Sequence, residues 1–239
     1  MTTNFDTTSA DANEPGLVER QTHWDGRADQ FDRTFTQAPV RTRVLDEISK
    51  LLPRERCTAL DAGTGTGRAM ARLIEGLHPE SDIVGCDLSP EMLHQARQLS
   101  PRKAKGALSY VYADLTELPF DDNTFDLLVS TFTLHHVPPS QQQAALKEFR
   151  RVLRPDGTLI VADQIQPDPP LAVEEMRAAV ADTFYPELPR DEAVQLLSTY
   201  GEWPLTATQM RQLLYQNGFQ AQVTEIHRIV AVASTSHAE

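Results

Sequence analysis

Cysteine is nearly missing from this chain: only Cys57 and Cys86 occur among 239 residues. Both lie in apolar, strand-like runs and neither stands at metal-ligand spacing. That excludes a disulfide-stapled secreted scaffold and a cysteine metal site, and the pair reads as reduced core thiols of a cytoplasmic protein. Basic residues are also scarce, 22 Lys and Arg against 34 Asp and Glu, for a formal charge of −12. A surface of that sign repels phosphate backbones, so nucleic acid is disfavoured as a partner and would need a local basic patch. The short PRKAK at 101–105 reads instead as a solvated loop. No apolar run reaches the ~20 residues of a membrane span, and the polar opening MTTNFDTTSADANEPG lacks the apolar segment of a signal peptide. Residues 1–16 read as a disordered tail and 17–239 as a single domain, with oligomeric state left open.

What the chain does have is alternation. RTRVLDEISKLL (41–52) sets Val44, Leu45, Ile48, Leu51 and Leu52 on one helical face, and Pro53 closes it. CTALDAG is a strand, followed by a helix from about Gly67 to Leu77. DIVGCDLS (82–89) is a strand ending in Asp87, after which Ser89 and Pro90 form an N-cap and first-turn pair for EMLHQARQL. LSYVYAD (108–114) gives a third strand and FDLLVSTFTLHH (125–136) a fourth. A helix over 140–153, with Ala144, Ala145, Phe149 and Val152 inward, ends in the turn RPDG before the strand TLIVAD, 158–163. Apolar strands alternating with amphipathic helices predict a doubly wound α/β fold with a parallel sheet covered on both faces. The proline-rich stretch 164–205 cannot extend that sheet and reads as a helical cap inserted after the fifth strand, with helices near 172–183 and 190–199. A last helix, capped by Thr206 and closed by Gly218, leads to QAQVTEIHRIVAVAST, whose two halves should pair antiparallel at the sheet edge.

The glycine loop decides the ligand. In such a fold the ligand lies beyond the carboxyl ends of the strands, where the first strand meets its helix. Gly63, Gly65 and Gly67 lie there, spaced G-x-G-x-G, whereas the dinucleotide fingerprint needs G-x-G-x-x-G to rest a pyrophosphate on the helix terminus. Asp61 beside them would repel a pyrophosphate and favour a cation. S-adenosyl-L-methionine, with a sulfonium, an ammonium and no phosphate, suits that loop. Asp87, ending the second strand, can accept from two ribose hydroxyls, a role it could equally play for NAD, and Asp114, ending the third, can accept from an adenine amino group. Each acid alone could be a cap or turn residue. Three acids ending successive strands beside the glycines argue for a site.

The blocks LDAGTGTG, VGCDLSPEML, YADLTELPF, FDLLVSTFTLHHV and RVLRPDGTLIVAD resemble, in order and spacing, the signature blocks of the class I S-adenosylmethionine-dependent methyltransferases, particularly the small type 11 branch. The resemblance covers about residues 41–163. It implies a Rossmann-like, seven-stranded sheet with the last strand antiparallel and a cofactor that leaves as S-adenosyl-L-homocysteine. It also implies a set of cofactor residues: Asp61, Gly63 and Gly65 on the methionine side, Asp87 on the ribose, Asp114 with Leu115 on the adenine, Leu88 and Met92 packed on the nucleoside, and Thr64 and Thr131 beside them. The RPDG turn departs from the commoner K-P-G-G form, at a place remote from the cofactor. In related enzymes the N-terminal segment folds over the cofactor and often offers a tyrosine; Phe31 stands there in this chain.

Methyl transfer is an in-line displacement, so the protein aligns the nucleophile, excludes water and, where needed, takes a proton. His135 and His136 end the fourth strand, and since strand neighbours point opposite ways, at most one faces the cleft. His135 and, from the fifth strand, Asp163 are the candidate bases; a structural histidine pair and a strand-end cap are the alternatives. QTHWDGRADQFDRTF (21–35) places Trp24, Ala28, Phe31 and Phe35 at helical spacing, which puts His23, Trp24 and Phe31 near the substrate entrance. Phe184, Tyr185, Tyr200 and Trp203 of the cap either shape the acceptor pocket, with Tyr185 the chosen contact, or anchor the cap to the sheet. The expected activity is methylation of a small molecule at O, N, C or S, with no metal. The alternatives are an RNA or protein methyltransferase and a non-catalytic cofactor-binding sensor or partner subunit.

Overall fold

The computed structural model describes residues 14–29, 31, 38–99, 105–197 and 202–235. The expectations for the tail up to residue 13, for Phe35 and for Tyr200 lie outside the described residues. Helix α1 (Leu17–Asp25) stops at Gly26, so the expected continuous helix over 21–35 is broken there. Helix α2 (Pro39–Leu51) starts on a proline whose missing N–H costs nothing in the first turn; it buries Val40, Val44 and Ile48, while Leu51, expected inward, is 38% exposed. Strand β1 (Thr58–Ala62), helix α3 (Arg68–Gly76), strand β2 (Asp82–Asp87), helix α4 (Pro90–Leu99) and strand β3 (Leu108–Tyr112) follow in alternation. Then come β4 (Phe125–Thr131), a 3-10 turn (Leu134–His136), α5 (Pro139–Val152) and β5 (Leu153–Gln164). The cap carries α6 (Val173–Phe184) and α7 (Arg190–Leu197), and α8 (Ala207–Gln216), β6 (Ala221–His227) and β7 (Val230–Thr235) complete the order.

The seven strands form one sheet in the order β3-β2-β1-β4-β5-β7-β6. Pairing is parallel from β3 to β5, and β7 runs antiparallel to both β5 and β6. The strand order reverses at β1 and β4, and the ligand crevice of such a sheet lies at that switch. Apolar residues of both pleat faces are buried: Ala59, Leu127 and Val129 pack with Val44 and Ile48 of α2 and Met70 and Leu73 of α3, whereas Leu60 and Leu128 pack with Leu146 and Phe149 of α5 and Met210 and Leu214 of α8. Helix α8 is fixed by a capping box in which Gln209 N donates to Thr206 Oγ1 (3.1 Å) and Thr206 N donates to Gln209 Oε1 (2.8 Å).

Two boundaries differ from the sequence reading for physical reasons. RPDG does not precede β5 but lies within it, because β5 pairs with β4 at Phe125↔Leu153 and again at Leu127↔Thr158, with a register shift between. His135 and His136 do not continue β4; the chain leaves the strand after Thr131 and tightens into the 3-10 turn.

Candidate active site

The glycine loop is tied to the end of β2: Gly63 N and Thr64 N both donate to Cys86 O at 2.9 Å. Gly63, Gly65 and Gly67 all have positive φ (78°, 52° and 87°), a backbone region that costs only glycine nothing. A Cβ on Gly63 would lie 2.3 Å from Thr133 Cγ2, and one on Gly67 would press on Ala96 at 3.2 Å, so these two are required by packing. At Gly65 a Cβ would meet nothing within 4 Å, which leaves this glycine as the face open to a ligand. A pocket opens against the loop, with Gly63, Thr64, Gly65, Leu88, Met92, Leu115 and Thr131 on its wall.

The three acids fare differently. Asp87 lines the pocket and holds the loop shut around itself: Gly65 N donates to its Oδ2 (2.8 Å) and Ser89 N to its Oδ1 (2.9 Å). Burial pushes its carboxyl up despite these bonds. Asp114 also lines the pocket, two residues beyond β3 rather than at its end, with Thr116 N on Oδ1 (3.0 Å) and the Arg20 guanidinium on Oδ2 (3.0 Å). Asp61 is fully buried and lies behind the wall rather than on it. Thr64 Oγ1 donates to its Oδ2 (2.7 Å), while Oδ1 has no hydrogen-bond partner. Burial above all pushes its carboxyl up to about 7, with the Asp87 charge adding to the rise and the Thr64 bond opposing it.

Helix α1 lines the pocket with Arg20 and Trp24, the start of α2 with Arg41, and the chain between them with Phe31. Besides the Arg20–Asp114 pair, α1 is stitched to α4 and β3 by Ser89 Oγ donating to Asp25 Oδ1 (2.5 Å) and Tyr112 Oη donating to Gln21 Oε1 (3.2 Å). The Arg41 guanidinium lies 4.8 Å from the ring centroid of Phe132 and 5.8 Å from that of Phe31. Phe132 sits on the wall at φ 51°, a conformation that costs a bulky residue about 1–3 kcal/mol. Its N–H donation to Ala162 O (2.8 Å) and its edge-on contact with Phe184 hold it there.

The 3-10 turn separates the histidines, and it is His136, not His135, that reaches the pocket wall. His136 is edge-on to Trp24 at 4.5 Å, and burial, with the neighbouring cationic side chains, holds its pKa well below the usual histidine range. His135 turns inward, where its Nδ1 is hydrogen-bonded to Asp163 Oδ1 and its backbone N donates to Asp163 Oδ2 (3.0 Å). Burial works against protonating His135, but the charge and hydrogen bond of Asp163, with Glu202 beyond, together raise its pKa. Both His135 and Asp163, the bases expected from sequence, are therefore engaged with each other behind the wall. Tyr185 is corrected as well: it is 6% exposed and packed in the core with Val180 and Phe184, so it anchors the cap. His23 lies off the wall, edge-on to Trp24 at 5.0 Å.

Sequence reasoning missed Arg20, Arg41, Phe132 and Thr133 on the wall, and of the two histidines it took His135 rather than His136 as the candidate base. Arg20 and Arg41 carried no local signal, since their role depends on α1 and α2 folding across the strand ends. The strand alternation applied to the histidines does not hold in a 3-10 turn, which puts His136 on the wall and His135 behind it.

Residues 60–161 match the model of a family described as a methyltransferase domain. The ubiquinone/menaquinone biosynthesis C-methyltransferase UbiE of Syntrophotalea carbinolica is 37% identical over 142 residues, covering 59% of this chain and 54% of that protein. The demethylmenaquinone methyltransferase of Staphylococcus aureus (strain JH9) is 34% identical over 139 residues, covering 58% of this chain and 55% of its own length. The chain thus spans about half the length of the curated relatives it matches. Among solved structures, the DhpI–SAH complex superposes with a TM-score of 0.67 at 18% identity, covering 92% of this chain and 97% of the other, a likeness of fold. The family match runs from β1 into β5, so over that part of the sheet the chain is similar to methyltransferase domains.

Proposed function

We propose that this chain transfers the methyl group of S-adenosyl-L-methionine to a small, planar, hydroxylated ring, releasing S-adenosyl-L-homocysteine. The observation that carries the reading is the pocket at the β1–β4 switch, where an open Gly65, Asp87 and Asp114 stand in the order that methionine, ribose and adenine require. Asp87 accepts the ribose hydroxyls on the lone pairs its backbone donors leave unused, and Asp114 with Leu115 holds the adenine. Asp61 acts from behind the wall, as a carboxylate whose ionised form a cationic ligand favours.

The acceptor end is the part lined by Trp24, Phe31, Phe132, Arg41 and His136. Its rings suit a flat molecule, and the Arg41 guanidinium favours one that gains negative charge as it reacts. The curated relatives, named for quinone methylation, favour a ring carbon as the methyl acceptor. Neutral His136 is suited to accept a hydrogen bond from the ring hydroxyl, and the His135–Asp163 pair keeps the turn beneath it in place. The buried, free thiols of Cys57 and Cys86 suit a reducing compartment. Among the described residues, no helix is long and apolar enough to cross a membrane.

The test is incubation with methyl-labelled S-adenosylmethionine and a panel of phenols and quinols, followed by identification of the labelled product. Label on a ring carbon is expected. No binding of S-adenosylmethionine by calorimetry would sink the reading as a whole, whereas binding with label only on RNA or protein would overturn the acceptor class.

A further inference from the structure

Behind the acceptor end, three potential metal ligands converge from two distant parts of the chain. One donor atom each from His135, His136 and Glu202 lie within 4.8 Å of one another, with His135 buried and the other two half-buried. We infer that His135, His136 and Glu202 form a binding site for one divalent cation of the Zn²⁺ or Co²⁺ type, with an open coordination position toward the acceptor pocket.

The donor set and its supports carry this. Asp163 takes Nδ1 of His135, which leaves Nε2 for the cluster; a carboxylate on the far nitrogen is the arrangement that orients metal-bound histidines. Glu202 is held in place rather than swinging on a loose loop. Gln164 Nε2 donates to Glu202 Oε2 (3.0 Å), and the adjacent Trp203 is fastened by its N–H to His135 O (2.7 Å) and by its carbonyl to Gln142 Nε2 (3.1 Å). Two imidazoles and a carboxylate, with a fourth position left open, is a ligand set of catalytic zinc sites. Bonds of about 2.0–2.2 Å need the donors at roughly 3.3–3.5 Å, so small side-chain rotations must close the remaining gap. The carboxylates of Glu202 and Asp163 together match the charge of a dication, and the Arg27 and Arg41 guanidinium groups oppose it at His136.

The inference rests on the methyltransferase reading only for the role of the metal. His136 lines the pocket, so with the metal bound a ring hydroxyl entering from that side can take the open position, in place of the hydrogen bond it would give to the metal-free imidazole. Coordination lets the hydroxyl release its proton to water. Electrons of the phenolate then form the C–CH3 bond at the neighbouring ring carbon as the S–CH3 bond breaks, leaving its pair on sulfur as a neutral thioether. Loss of the proton from that ring carbon to water restores the aromatic ring.

Binding is tested with the metal alone. The chain, stripped with chelator, is titrated with Co²⁺ and followed by its visible d–d absorption, with stoichiometry from equilibrium dialysis. One site per chain is expected, weakened at least tenfold in Glu202→Gln and in His136→Asn, with circular dichroism showing both variants folded. Binding that is absent, or that persists unchanged in both variants, overturns the inference, the latter by pointing to surface histidines such as His78 or His94. S-adenosylmethionine binding is measured on the same samples. A chain that binds the cofactor but no metal refutes this site and leaves the methyltransferase reading standing; one that binds the metal but no cofactor does the reverse.

Discussion

Arg20 and Asp114, 94 positions apart, meet in a 3.0 Å ion pair on the pocket wall, with 7% and 18% of their side chains exposed. The pair fastens the closing helix α1 to the carboxylate that would hold adenine. Removing one partner of a poorly solvated pair leaves the other charge buried, so Arg20→Ala should cost more than a surface ion pair would, about 1–3 kcal/mol of stability. Because α1 also covers the pocket, S-adenosylmethionine affinity should fall about tenfold, chiefly through faster dissociation. Urea unfolding and stopped-flow release of the cofactor check the two effects. Unchanged dissociation would mean that α1 is held without the pair, by bonds such as Ser89–Asp25, Glu91–Asp25 and Tyr112–Gln21.

Gly63 is a second point where geometry leaves one residue type. Its φ of 78° and the 2.3 Å approach of a Cβ to Thr133 act together. Gly63→Ala should therefore destabilise the protein by roughly 2–4 kcal/mol, adding left-handed strain to a steric clash, and abolish cofactor binding. Thr133→Gly in the same chain removes the clash and not the strain, so it should restore part of the stability. Full restoration would show that the strain at this turn is negligible.

How much of this was legible in the sequence follows from how local each determinant is. The alternation of β1 to β5 with their helices, the N-cap at Ser89 and the capping box at Thr206 were readable, because each is set by residues a few positions apart. Met92 N donates to Ser89 Oγ at 3.1 Å, as the cap requires. The glycines and the acids at the strand ends were readable for the same reason. Arg20 on Asp114 and Glu202 beside the histidines were not, since the chain must fold before those partners exist. The inward turn of His135 was hidden by the 3-10 geometry after β4, which no alternation of apolar residues announces. Asp61 was seen as an acid beside the loop, but only the fold shows it sealed behind Thr64.

Asp87 serves both the loop and the proposed ribose, and the two roles separate by substitution. Asp87→Ala removes the acceptor for Gly65 N and Ser89 N as well as for the ligand. It should lower S-adenosylmethionine affinity by tenfold or more, at about 1.5–3 kcal/mol for each charge-assisted bond lost. Asp87→Glu keeps the charge and displaces it by a methylene, so it should disturb the loop bonds yet retain part of the affinity. Calorimetry with S-adenosylmethionine and with its 2′-deoxy analogue distinguishes these cases. The deoxy analogue should lose affinity against the natural protein and lose little more against Asp87→Ala. If it loses as much against both, the ribose lies elsewhere.

Asp61 makes the pH dependence of binding predictable. Its carboxyl is pushed up to about 7 in the ligand-free fold, against an ordinary 3.8 in the unfolded chain. Between these values the folded protein keeps a proton that the unfolded chain has lost, so stability from this group is full below the lower value. It declines as pH rises toward 7, by up to about 1.4 kcal/mol per pH unit. A sulfonium and an ammonium near the loop favour the carboxylate and reverse that preference. S-adenosylmethionine should then bind more tightly as pH rises from 5 to 7, level off above, and release a proton on binding at pH 6. Calorimetry in two buffers of different ionisation enthalpy measures that proton directly. Asp61→Asn should abolish both the release and the slope, and adenosine, which lacks the methionine charges, should show neither even with Asp61 intact. Should the natural protein bind S-adenosylmethionine equally well across this interval, Asp61 would act only through its hydrogen bond from Thr64, holding the glycine loop rather than sensing the charge of the ligand.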